Sequence, residues 1–148
     1  MYQRILVPVD GSACANRGLS EAISMARLCG AQIRIVHVID EPVVALGSGA
    51  AAGVGADVIA LTREAAERVL ADATEFVKSA GIAVDHVLLD SFDGRLCDLV
   101  VKAVKVWRAD LLVIGTHGRR GLGRFLLGSG AEQILRLSPV PVLLVRHD

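Results

Sequence analysis

The chain has 148 residues, 53% of them hydrophobic, which is the size of one ordinary domain with enough apolar material for a substantial core. Its 16 basic and 16 acidic residues cancel, so no net field draws it to nucleic acid or an anionic membrane, and neither is expected as a partner. With one Trp, one Tyr and three Phe, the core must come from Val, Leu, Ile and Ala, a composition suited to a parallel sheet covered by helices.

The first apolar run, Arg4 to Asp10, has the length of a strand. Pro8 interrupts it and Asp10 closes it, so it does not read as a secretion signal. A helix follows on the stripe Leu19, Ala22, Ile23 and Ala26, and Gly30 can supply a left-handed residue at its end. The second strand is Gln32 to Asp40. Glu41 to Ala56 is low in complexity and glycine-rich, and is expected to be a mobile excursion, with a ligand-covering role as the alternative. The longest uncharged stretch, Pro42 to Ala56, is too short to cross a bilayer, and the protein is expected to be soluble and cytoplasmic.

A second helix, from about Asp57 to Ala80, uses Leu61, Ala65, Val69, Ala73 and Phe76 and stops at Gly81. The third strand, Ala83 to Asp90, leads to a helix whose stripe is Leu96, Leu99, Val100, Ala103, Val104 and Trp107. The fourth strand is Asp110 to Gly115. Ser129 and Glu132 form an S-x-x-E capping box expected to open the last helix, and Pro141 to Arg146 is the fifth strand. Strict alternation of strand and helix demands right-handed crossovers. The fold class is therefore α/β, a doubly wound five-stranded parallel sheet with helices on both faces, as one domain over residues 1–148.

Cys14, Cys29 and Cys97 are odd in number and lack CxxC spacing, so they read as small core residues rather than disulfide or zinc ligands. His37, His86, His117 and His147 lie in four separate segments. No protein metal site and no catalytic residue is nominated from these patterns.

Ligands of open parallel sheets bind beyond the carboxyl ends of the strands, where strand order reverses. Two loops qualify on that rule. One leaves the first strand through Pro8, Val9, Asp10, Gly11 and Ser12. The other leaves the fourth through Gly115, Thr116, His117 and Gly118 and is glycine-rich as far as Gly130. Glycines let the backbone approach a ligand closely, and the helix opening near Ser129 offers free N–H groups and a positive dipole end. Arg119, Arg120 and Arg124 lie in a stretch without acidic residues. These features favour a polyphosphate. A Walker A loop is excluded, because Gly123 to Ser129 reads GRFLLGS without the lysine, and DGSACA after the first strand is not a dinucleotide fingerprint.

The opening ILVPVDGS, the second strand RIVHV, the closing VPVLLV and above all G-x2-G-x9-G-S (Gly115, Gly118, Gly128 and Ser129) resemble the universal stress proteins of the ATP-binding type over essentially the whole chain. The resemblance implies the adenine nucleotide alpha hydrolase-like sheet of order 3-2-1-4-5, a homodimer, and ATP held without an obligatory reaction. It also implies the site. Asp10 would lie near the ribose, with Pro8 and Val9 lining the base pocket and Val38 meeting adenine through its backbone. Gly115 and Gly118 would bring the loop under ribose and phosphates, with His117 and Arg119 beside them. Gly128, Ser129 and Gly130 would hold the outer phosphates. From the residues alone, Asp10 reads equally as a turn or cap residue and Val38 as plain core. Gly130 departs from the family pattern, which commonly carries a larger residue there.

Magnesium or manganese would arrive with the nucleotide. The function expected is that of an ATP-binding regulatory or stress-response protein with a regulatory protein partner. The alternatives are a slow ATPase or phosphotransferase, or a module for AMP or a cyclic nucleotide. The dimer is expected through strand 141–146, antiparallel by Val142 and Leu144 or their alternates, with Leu143→Pro removing a ladder donor.

Overall fold

The computed structural model describes residues 1–39, 52–90, 94–116 and 128–146. Among the described residues five strands, β1 (Arg4–Pro8), β2 (Gln32–Ile39), β3 (Val84–Asp90), β4 (Leu111–Gly115) and β5 (Val142–Val145), alternate with four helices. The helices are α1 (Ala13–Cys29), α2 (Ala52–Ser79), α3 (Leu96–Trp107) and α4 (Ser129–Leu137). All strand pairs are parallel, and the order is β3-β2-β1-β4-β5. The expected architecture and strand order are thus observed.

Two cores lie on opposite faces of the sheet. Ile5, Val7, Ile33, Ile35 and Val113 pack with Leu19, Ala22, Ile23 and Ala26 of α1 and Leu70, Ala73 and Val77 of α2. On the other face Leu6, Val36, Leu112 and Ile114 pack with Cys97, Val100 and Val104 of α3 and Ile134 of α4. Successive strand residues alternate between the two clusters because side chains alternate across a strand. The run ILV in β1 must therefore be apolar throughout.

Local signals set the boundaries. Ser12 caps α1 by accepting from the Ala15 amide at 3.1 Å, and Gly30 ends it at φ 68° with its N–H on the Ala26 carbonyl. Asp110 accepts from the amides of Gln3 (2.8 Å) and Arg4 (2.9 Å), pinning the start of β1 to the entry of β4. Arg34 forks onto Asp85, its register partner in β3, and lies 4.8 Å from the centre of the Trp107 ring. The hydrogen bond to Asp85 holds the guanidinium above its ordinary pKa, with burial opposing and the carboxylate charge assisting.

Two expectations about α2 need correction. The helix begins at Ala52, inside the stretch read as an excursion; residues 40–51 lie outside the described part. Its buried face is Ala66, Leu70, Ala73 and Val77, whereas Leu61 and Phe76 are exposed. The true stripe steps by four, three and four residues; it shares Ala73 with the expected one, whereas the expected Ala65, Val69 and Phe76 each lie one residue before Ala66, Leu70 and Val77. The helix is apolar on more than one side, so periodicity alone did not single out the face that meets the sheet.

Candidate functional site

The site begins where the sheet parts. Along β1, odd-numbered residues present their main-chain groups to β2 and even-numbered ones to β4, as the bonds Gln32 N–H to Gln3 O, Val9 N–H to Val36 O and Asp110 N–H to Arg4 O establish. Pro8 would therefore present its N–H to β4, and it has none. The β1–β4 register stops at Ile5↔Leu111 and Leu6↔Leu112. Beyond it the two strands diverge into a crevice at the point where strand order reverses, the expected ligand position of such sheets.

The β1 side of the crevice turns sharply. Gly11 has φ 77°, and Asp10 Oδ1 accepts from the Ser12 amide at 2.9 Å. Asp10 thus serves as a turn residue and also lines the cleft; the two readings are compatible. On the β4 side, Thr116 ties the end of the strand to the start of α4. Its amide donates to the Val145 carbonyl at 2.9 Å and its carbonyl accepts from the Gly128 amide at 2.8 Å. Residues 115 and 128–130 are thereby brought together although the intervening 117–127 lie outside the described residues.

Here the expected capping box is corrected. Gly128, not Ser129, is the N-cap of α4, and among the described residues no side chain caps that end. Ser129 is already helical, and the Glu132 carboxylate pairs instead with Arg136 at 2.8 Å. The amide of Glu132 is the first to find a helical acceptor, on Gly128 at 2.9 Å. The amides of residues 129–131 precede it and have no carbonyl within the helix to bond. A helix start left in this condition suits an anion.

Together these elements enclose a cleft of about 870 Å³, within the size range of small-molecule sites. Its lining includes Pro8, Val9, Asp10, Val38, Gly115, Gly128, Ser129 and Gly130. Every expected site residue that the structure describes therefore reaches one cavity. His117, Gly118 and Arg119, with Arg120 and Arg124, lie outside the described residues. The sequence reading missed the α2 wall of Val58, Leu61, Thr62 and Ala65, along with His37 and Gln133. Leu61 and Ala65 had been placed in the core stripe, so the signal was present but was assigned to the wrong face.

Gly115 carries a different local constraint from the one expected. A Cβ there would stand 2.8 Å from the Cys14 carbonyl oxygen and 2.9 Å from its Sγ. The glycine is required by the close approach of α1 to β4. At Gly130 a Cβ would meet, among the described residues, only the Leu96 Cδ2, at 3.0 Å. Among the described residues no group of His, Cys, Asp and Glu has the arrangement of a metal site, and no helix is long and apolar enough to cross a membrane.

A doubly wound sheet with this strand order and a cleft at its reversal point defines a nucleotide-site type of α/β protein. The model of the universal stress protein family matches residues 1–146, and the chain belongs to that family. A universal stress protein of Methanocaldococcus jannaschii is 30% identical over 147 residues, covering 99% of this chain and 83% of the relative. The solved structure of hypothetical protein MJ0577 superposes with a TM-score of 0.85 at 25% identity, covering 100% of this chain and 98% of that one. A universal stress protein from Archaeoglobus fulgidus in complex with dAMP gives 0.69 at 26%, covering 97% and 98%. A universal stress protein in complex with cAMP gives 0.67 at 25%, covering 98% and 97%.

Proposed function

We propose that the protein binds an adenine nucleotide, ATP foremost, in this cleft, and that it acts as a regulatory protein whose occupancy is read by a protein partner. The observation that carries the reading is the union of two unlike surfaces in one cavity. Val9, Val38, Ile39, Leu61 and Ala65 offer an apolar slot for a flat base, and the start of α4, where Gly128 brings no capping side chain, offers N–H groups to an anion. A nucleotide carries both chemistries at the spacing of one molecule. The relatives in complex with dAMP and cAMP support the adenine class. The cAMP complex is also the specific observation that favours a second reading, a cyclic-nucleotide or AMP module.

In the ATP reading, Pro8 and Val9 line the base, Val38 meets its edge through the main chain, and Asp10 lies at the ribose. Gly115 and Gly118 pass beneath the ribose and phosphates, with His117 and Arg119 alongside. Gly128, Ser129 and Gly130 hold the outer phosphates, and magnesium or manganese enters on the phosphates rather than on protein ligands. Calorimetry with ATP, GTP, cAMP and tripolyphosphate is the test. The expected outcome is micromolar ATP, about 8 kcal/mol, with GTP weaker. Equal affinity for GTP removes the adenine assignment, and tighter cAMP makes the second reading the better one.

A further inference from the structure

We infer that His37 is a positioning residue: its imidazole removes one rung of the β1–β2 ladder and so leaves the main chain of Val38 available to a ligand. This rests on the adenine-nucleotide reading for its ligand arm, and on the ladder alone for the rest. On β2, the Ile33 amide donates to Ala83 beside β3, while the Val36 carbonyl accepts from Val9 on β1. Alternation then turns the N–H and C=O of Val38 toward β1. In a parallel ladder the rung after Val9 N–H to Val36 O is Val38 N–H to Val9 O. Among the described residues that rung is absent.

The Val9 carbonyl is engaged instead by His37 Nδ1, at 2.7 Å. A carbonyl can only accept, so Nδ1 carries the proton and donates. His37 is buried, 8% exposed, and lines the cleft with Val9 and half-buried Val38. The imidazole therefore satisfies the carbonyl of Val9, the residue after β1, from the side, and among the described residues the adjoining donor and acceptor of Val38 have no main-chain partner at the mouth of the crevice. An edge with one donor next to one acceptor matches that pair, and the N6–H and N1 of adenine form such an edge. Guanine carries the two functions in the reverse order.

Amide hydrogen exchange of the ligand-free protein tests the ladder directly. Val38 is expected to exchange freely in the native protein and to gain protection of about tenfold or more in His37→Phe, where Val9 O is released to it. His37→Asn keeps a side-chain N–H near the position of Nδ1 and should leave Val38 unprotected. Protection of Val38 in the native protein, or no change in His37→Phe, overturns the inference. The ligand arm compares ATP with tripolyphosphate by calorimetry. His37→Phe should weaken ATP about tenfold and leave tripolyphosphate unchanged, and His37→Asn should restore ATP. Equal weakening of both ligands overturns the positioning role. If the native protein binds no adenine nucleotide, the functional reading fails, and Val38 exchange still decides the inference. If His37→Phe does not fold, native exchange and His37→Asn decide it.

Discussion

A methyl group at position 115 has nowhere to go, because the atoms it would meet are the Cys14 backbone and the thiol held against it. Gly115→Ala is expected to destabilise the protein by about 1–3 kcal/mol, the range of overpacking in a rigid site. Urea unfolding measures this, with Gly130→Ala as the comparison. That second change presses only on the tip of Leu96, a half-exposed side chain that can turn aside, and it adds helix propensity, so its cost should be smaller. Comparable losses at the two positions would contradict the packing account. The pair shows what sequence discloses about a residue. Gly115 and Gly128 were legible as neighbours in one cleft, but the reason Gly115 is glycine depends on which backbone lies opposite, and that neighbour is remote in the chain. Asp10 was legible as a turn residue because its neighbours Gly11 and Ser12 are local, and the same turn places it in the cleft lining.

At the scale of elements, the edges of the sheet matter most. All five strands were legible, the central β1 and β4 most directly, since a strand buried on both faces is a continuous apolar run, and ILV or LLVI leaves little else to assign. The start of α2 was not, because GAAAGVGA carries no apolar period and its glycines argue for a loop. β5 is a sheet edge, as expected, but the proline test of its pairing must move by one residue. Leu112 N–H to Pro141 O and Thr116 N–H to Val145 O turn the odd-numbered residues of β5 toward β4. The Leu143 amide therefore belongs to the β4–β5 ladder within the chain, and Leu143→Pro would damage the fold itself. The outward amides are those of Val142 and Leu144. Leu144→Pro is accordingly expected to convert the proposed homodimer to monomer with the β4–β5 ladder retained, as read by sedimentation equilibrium. A native protein that is monomeric at micromolar concentration would show that this edge is not the assembly surface.

For the molecule as a whole, the proposed function is to hold a nucleotide rather than to consume it. Phosphoryl transfer needs a positioned nucleophile and cations where charge develops. Asp10 is the carboxylate of the described cleft, and in the proposed pose it lies at the nucleoside end. Single-turnover hydrolysis of ATP with magnesium should therefore run well below the roughly 10 per second of ordinary enzymes. A rate above about one per second that falls on changing one side chain, with affinity kept, would make the enzyme reading the better one.

The proline at the end of β1 bears on time as well as on shape. Because Pro8 lacks the hydrogen that would continue toward β4, that rung cannot form, and it does not have to break before a guest arrives. In the proposed function, entry needs no opening of that rung. Occupancy would then follow the ligand's concentration with little lag, making the protein a gauge of the present level instead of a latch that remembers an earlier one.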